Sequence, residues 1–182
     1  MTMKKLAISV FAFAALAFAD PVTDTFNQHV SMIEGDVLGL AQKMPADKYG
    51  FSPAASKVAG SNFEGVRTFG EQVRHLATVM YMVSASVLGD AKPPVDIGPD
   101  DSGPRNLKSK EELVNYLKGA IAYTKKAAAS VNQKNIFDEV KGPFGPNKTS
   151  RLNAISTFAW HSFDHYGQMV VYARLNGVKP GR

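Results

Sequence analysis

Apolar residues recur at alternating three- and four-residue intervals through four segments of this chain, each about twenty residues long. The two-residue alternation of a half-buried strand does not recur, and no Asn-Gly hairpin lies between β-branched runs. A chain patterned this way can bury its apolar surface only by packing helices on one another. The first stripe is Phe26, Val30, Ile33, Val37, Leu40 and Met44, which predicts a helix from Thr23 to Met44, ended by Pro45. The second runs from Phe69 to Leu88 on Val73, Leu76, Met80, Val83 and Val87, with Thr68 and Glu71 spaced as a capping box. The third runs from Lys110 to Val131, capped by Ser109 and Glu112, on Leu113, Tyr116, Leu117, Ala120, Ile121, Thr124 and Ala127. The fourth runs from Ser150 to Leu175, with Asn176-Gly177 as its stop and Pro180 beyond. The expectation is an all-α four-helix bundle forming one domain over residues 20–182. Its connections are long and rich in Gly and Pro, and the one from Gly89 to Lys108 has the length for a crossover.

Residues 1–19 read as a secretory signal rather than as part of the bundle. Lys4 and Lys5 form a basic start, Leu6 to Leu16 is an uncharged apolar run, and Ala17-Phe18-Ala19 offers small residues at a cleavage position. The run is shorter than the ~20 residues that span a bilayer, and no other run is as long, so no membrane span is expected. The protein is therefore expected to be exported, periplasmic or extracellular, after cleavage near Ala19. Losing the two lysines lowers the formal net charge from +5 to +3. That excess is too small, and too free of interleaved basic and aromatic residues, to indicate nucleic-acid binding. With no cysteine, the chain has no disulfide, no thiolate nucleophile and no lipoprotein anchor site.

The fourth stripe contains its own exception. Ala154, Phe158 and Tyr172 suit a core-facing position, but His161 and His165 occupy successive turns of the same face. Residues four apart on a helix stand about 6 Å apart along the axis, close enough for two imidazoles to reach one point. Such a pair presents two nitrogen ligands to a metal. A pair of core histidines hydrogen-bonded to carbonyls satisfies the same spacing, and the pattern alone leaves both readings open. His29 and His75 are the other histidines, and His75, beside Leu76 and Val79, can face the fourth helix across the bundle. Around the pair, Asp164 can orient a ligand imidazole, act as a base, or pair with Arg74, and Gln168 stands one turn beyond His165. Glu71 is accounted for by its capping box. Trp160 is assigned to the core, Tyr166 and Tyr172 to packing with wet hydroxyls, and Lys125 and Lys126 to a solvated face.

The stretch His161-Ser-Phe-Asp164-His165-Tyr166-Gly167-Gln168, followed by Tyr172-Ala-Arg174-Leu-Asn-Gly177-Val-Lys-Pro180, resembles the last helix of the DinB-like proteins. Met44-Pro45-Ala-Asp-Lys48-Tyr49-Gly-Phe51-Ser-Pro53 resembles the segment after that family's first helix, and Val66-Arg67-Thr68-Phe69-Gly70-Glu71-Gln72-Val-Arg-His75 resembles its second-helix entry. The matches fall in order across most of the chain. The resemblance implies a four-helix bundle with a crossover between helices two and three. It implies a divalent metal, zinc or nickel, held by His75, His161 and His165, and often a homodimer. His29 matches no ligand position. Relatives include metal-dependent transferases of low-molecular-weight thiols and a thiol-dependent maleylpyruvate isomerase; this chain departs from them in reading as exported. Three neutral nitrogens leave a tetrahedral metal one open position, the mark of a reactive rather than a structural zinc site. The expected activity is metal-dependent hydrolysis or group transfer on a small-molecule substrate. The alternatives are a non-catalytic metal- or ligand-binding bundle and a metal-free interaction bundle.

Overall fold

The computed structural model describes residues 20–181. The expected signal segment, residues 1–19, lies outside the described residues. Helix α1 (Pro21–Ile33) continues through a π-helical turn, Glu34–Leu38, into α2 (Gly39–Lys43), so the first predicted helix is one rod with a widened turn inside it. All six residues of its apolar stripe are buried. Asp20 caps α1, its carboxylate accepting from the Val22 and Thr23 N–H groups. Helices α3 (Phe69–Leu88) and α4 (Lys110–Ser130) each begin with the capping box read from the sequence. Helix α5 (Arg151–Leu175) is capped by Ser150 and closed by Gly177 at φ 71°.

The contacts between helices fix the topology. Along α3 and α4, Gly70 lies against Leu113, Thr78 bonds Tyr116 and Ser84 bonds Thr124, so the two helices run parallel. Along α3 and α5 the order reverses, from Gln72–Gln168 through His75–His161 to the Val87 carbonyl with Arg151. The first rod is antiparallel to α4, since Lys110 reaches the Gln42 and Met44 carbonyls, Lys125 pairs with Glu34, and Thr23 donates to the Val131 carbonyl. The ring order is α1, α4, α3, α5, in an up-down-down-up bundle around a single apolar core. Parallel neighbours cannot be joined by a short turn. The Gly89–Lys108 connection is accordingly a crossover that returns along α3. With α4, α5 and this crossover all packed against it, α3 is buried around most of its circumference, well beyond its predicted stripe.

The third connection departs from the sequence reading. It contains a short antiparallel pair, β1 (Glu139–Lys141) with β2 (Lys148–Ser150). Strands of three residues are too short to display alternation. This pair is held at its base by Arg151 and Leu152 N–H groups donating to the Asp138 and Ile136 carbonyls. Among the described residues, no helix is long and apolar enough to cross a membrane.

Candidate metal centre

The chain before α3 sets the site's position. The Gly70 N–H donates to the Tyr49 carbonyl at 2.8 Å, and a side chain at 70 would press on that carbonyl and on Leu113 at 3.2 Å. This close approach fixes where α3 starts, and His75 follows within two turns. His75 and His165 are buried and His161 is half-buried. The three rings converge, with centroids 5.1 Å apart for His75–His161, 4.7 Å for His75–His165 and 4.5 Å for His161–His165. One ring nitrogen from each lies within 4.8 Å of the others. His75 Nε2 and His161 Nε2 are 3.3 Å apart. Two nitrogens bound to one tetrahedral zinc at about 2.0–2.1 Å stand roughly 3.3–3.4 Å apart, so the spacing suits such an ion.

The second nitrogens decide which lone pairs are available. His75 Nδ1 lies 2.7 Å from the Asp101 backbone carbonyl, an oxygen that can only accept. Nδ1 of His75 therefore carries the proton, and Nε2 presents a lone pair. His165 Nδ1 lies 2.6 Å from Gln72 Oε1. The orientation of Gln72 is set in turn: its Nε2 donates to Gln168 Oε1 at 2.8 Å, and Gln168 Nε2 donates to Asp164 Oδ2 at 3.3 Å. A carboxylate at the end of this chain accepts only, so every amide is ordered and His165 Nδ1 donates. Two imidazoles thus turn Nε2 lone pairs toward one centre, where a proton or a cation must sit between them and His161.

Burial pushes the pKa values of all three histidines below the ordinary imidazole value, to about 4 for His161 and His165. The neighbouring imidazoles add to the shift, His165 and His75 acting on His161 and His75 acting on His165. At neutral pH the cluster is uncharged, the state a metal requires. A donor set of three neutral imidazoles in one place can hold a divalent ion.

The sequence-predicted residues fall into place unevenly. His75, His161 and His165 come together, and His29 does not join them; its Nδ1 is buried without a hydrogen bond, beside Phe26. Asp164 pairs with Gln168 rather than with Arg74, whose Nε donates instead to the Ser102 carbonyl. Glu71 accepts from the Thr68 N–H and hydroxyl, as its capping box requires. Lys125, expected on a solvated face, is exposed there and pairs with Glu34 at 2.6 Å. Tyr172 is buried, and its hydroxyl donates to the Arg67 carbonyl. Trp160 overturns its core assignment, being 60% exposed. It precedes His161 by one residue, about 100° around the helix, so the turn that points His161 inward points Trp160 out. Two members of the site were missed. Gln72 carried a legible signal, a large amide one turn before His75. The Asp101 carbonyl carried none, because a main-chain acceptor 26 residues away is invisible in side-chain patterning.

An up-down-down-up bundle with three convergent imidazoles shared between its second and fourth rods defines a class of helical bundles whose core could hold a metal ion. Residues 31–169 match the DinB superfamily, and the chain belongs to that superfamily. No curated protein sequence matches it.

Proposed function

We propose that His75, His161 and His165 bind a divalent metal ion, zinc or nickel, and that the protein is a metal-dependent hydrolase or transferase acting on a small molecule. The observation that carries this reading is the ordering of the ring nitrogens. The Asp101 carbonyl and the Gln72–Gln168–Asp164 relay hold the protons of His75 and His165 on the outward Nδ1 atoms, an arrangement suited to ligands and unneeded in a packing element. Bound there, the ion would supply Lewis acidity and a water of lowered pKa. The cluster's three nitrogen donors leave a tetrahedral ion one position for that water or for substrate. Asp164, exposed beside His161 and His165, is the nearest carboxylate on α5 to accept a proton from a reacting group.

The proposed setting is outside the cytoplasm. Export is supported by the composition of residues 1–19 and by Asp20, the residue after the expected cleavage point, which opens the bundle as the α1 cap and also accepts from the Gln133 N–H. A homodimer is part of the same reading, taken from the resemblance to DinB-like proteins.

The test is to express the full chain without a histidine tag, alongside a His161→Ala/His165→Ala variant. Bound metals are counted by elemental mass spectrometry, and the N-terminus of the exported product is sequenced. About one metal per chain, lost in the variant, supports the site, and a product starting at Asp20 supports export. Metal in neither protein, with none taken up on titration, would sink the metal reading. Turnover on a panel of esters, amides, epoxides and thiol acceptors, abolished by chelator in a protein that stays folded, separates the enzyme from a non-catalytic metal binder.

A further inference from the structure

Beside the histidine cluster, the first turn of α3 and the crossover loop enclose a trough. One cavity of about 440 Å³ is lined by Arg67, Glu71 and Arg74. A second, of about 340 Å³, shares Glu71 and Arg74 and adds Arg105 and Lys108. Four cations and one carboxylate line the two. That carboxylate, Glu71, accepts from the Thr68 N–H and hydroxyl, and its charge offsets one of the four. Arg105 is paired with Asp100 at 3.1 Å, and Arg74 is anchored through Nε on the Ser102 carbonyl.

Arg67 is held differently. Its backbone carbonyl is fixed by the Tyr172 hydroxyl, while its half-buried guanidinium faces the Asp101 carboxylate at 3.9 Å, beyond hydrogen-bond length. The same carboxylate lies 3.7 Å from His75 Nδ1 and is 53% exposed. A half-exposed carboxylate thus sits between Arg67 and the cluster, beyond hydrogen-bond length from both. Arg67, Arg74, Arg105 and Lys108 outnumber by one the carboxylates set against them, Glu71, Asp100 and Asp101. The trough therefore keeps a net positive charge, which favours an anion.

We propose that the small molecule taken by this site carries an oxyanion, a carboxylate or a phosphate group, and that Arg67, seconded by Arg74, holds it in the trough beside the cluster. The guanidinium fork matches either group with two N–H donors, and the substrate oxyanion displaces the Asp101 side chain. Arg67 is here a substrate-binding residue. The inference deepens the metal-site reading by naming the substrate class, and its test works without metal.

The metal-free full chain is titrated with acetate and, separately, with inorganic phosphate, at constant ionic strength with chloride as the balancing salt. Binding is followed by calorimetry and by the arginine Nε–H resonances. The expected result is one saturable site per chain, weakened at least tenfold in Arg67→Gln and less in Arg67→Lys. Zinc affinity of Arg67→Gln, measured by chelator competition, should be no weaker than that of the parent, since the variant removes a positive charge near the cluster. Because the backbone of Arg67 makes the structural bond, the variant should keep its fold, checked by circular dichroism. Tighter binding of acetate assigns a carboxylate substrate, and tighter binding of phosphate assigns a phosphate ester. No saturable binding, or equal binding by Arg67→Gln, overturns the proposal. A parent protein that binds oxyanion but no zinc would instead overturn the metal reading and leave this one standing.

Discussion

Gln72 is almost fully buried, and its amide does two jobs at once, accepting from His165 Nδ1 and donating to Gln168. Outer hydrogen-bond partners of metal-bound histidines typically account for 10–100-fold in metal affinity. Gln72→Ala should therefore weaken zinc binding by about 10–100-fold in chelator competition. His165→Ala should cost more, and should lower the melting temperature only of the metal-loaded protein; equal destabilisation with and without metal would make His165 a packing residue. The pH dependence of the metal-free protein follows from the same burial. In the unfolded chain a histidine protonates near 6.5, whereas folded His161 and His165 hold out to about 4. The unfolded state binds more protons in that interval, so stability is complete above 6.5 and is lost as pH falls toward 4. Melting curves of metal-free protein should show this decline, and His161→Ala/His165→Ala should flatten it.

The elements that place those residues differ in how visible they are in sequence. Both capping boxes, all four helical rods and the Gly177 stop follow from local chemistry, because a cap or a stripe acts within a few residues. The predicted ends fall within about two residues of the observed ones. The crossover is another matter. Its length was legible, its course along α3 was not, and that course delivers the Asp101 carbonyl to His75. Gly103 makes the course possible. It has φ 83°, and a Cβ there would collide with the Thr78 hydroxyl and with Arg74 Cγ at 2.9 Å. Gly103→Ala should destabilise the protein by about 1–3 kcal/mol in denaturant unfolding, combining an unfavourable φ with overpacking. It should also weaken zinc binding, because the loop that orients His75 must move. An unchanged zinc affinity would show that the Asp101 carbonyl is dispensable.

Across the whole molecule, the histidine cluster joins two rods that also meet through apolar packing and through the Gln72–Gln168 and Arg151–Val87 hydrogen bonds. His75 stands on α3, while His161 and His165 stand on α5. Zinc at one hundred times its dissociation constant should stabilise the folded state by about 2.7 kcal/mol, seen as a rise in melting temperature that chelator reverses. In Gln72→Ala the rise at the same zinc concentration should be smaller, by the same mass action. No rise in the parent protein would mean that the cluster holds no zinc.

Sequence alone determined what depends on neighbours along the chain: four amphipathic rods, their caps and stops, and two imidazoles sharing one face of the last helix. Periodicity and capping are local, so they survive without the fold. It gave His75 a plausible face, and the family resemblance gave that histidine its place in the trio. Only tertiary structure decided the parallel run of α3 beside α4, and with it the return of the crossover past His75. It turned Trp160 outward, formed the short β1–β2 pair, and ordered the amides from Asp164 through Gln168 to Gln72. These depend on groups up to a hundred residues apart meeting in space, where hydrogen-bond direction and ring orientation are set by whatever the packing brings alongside.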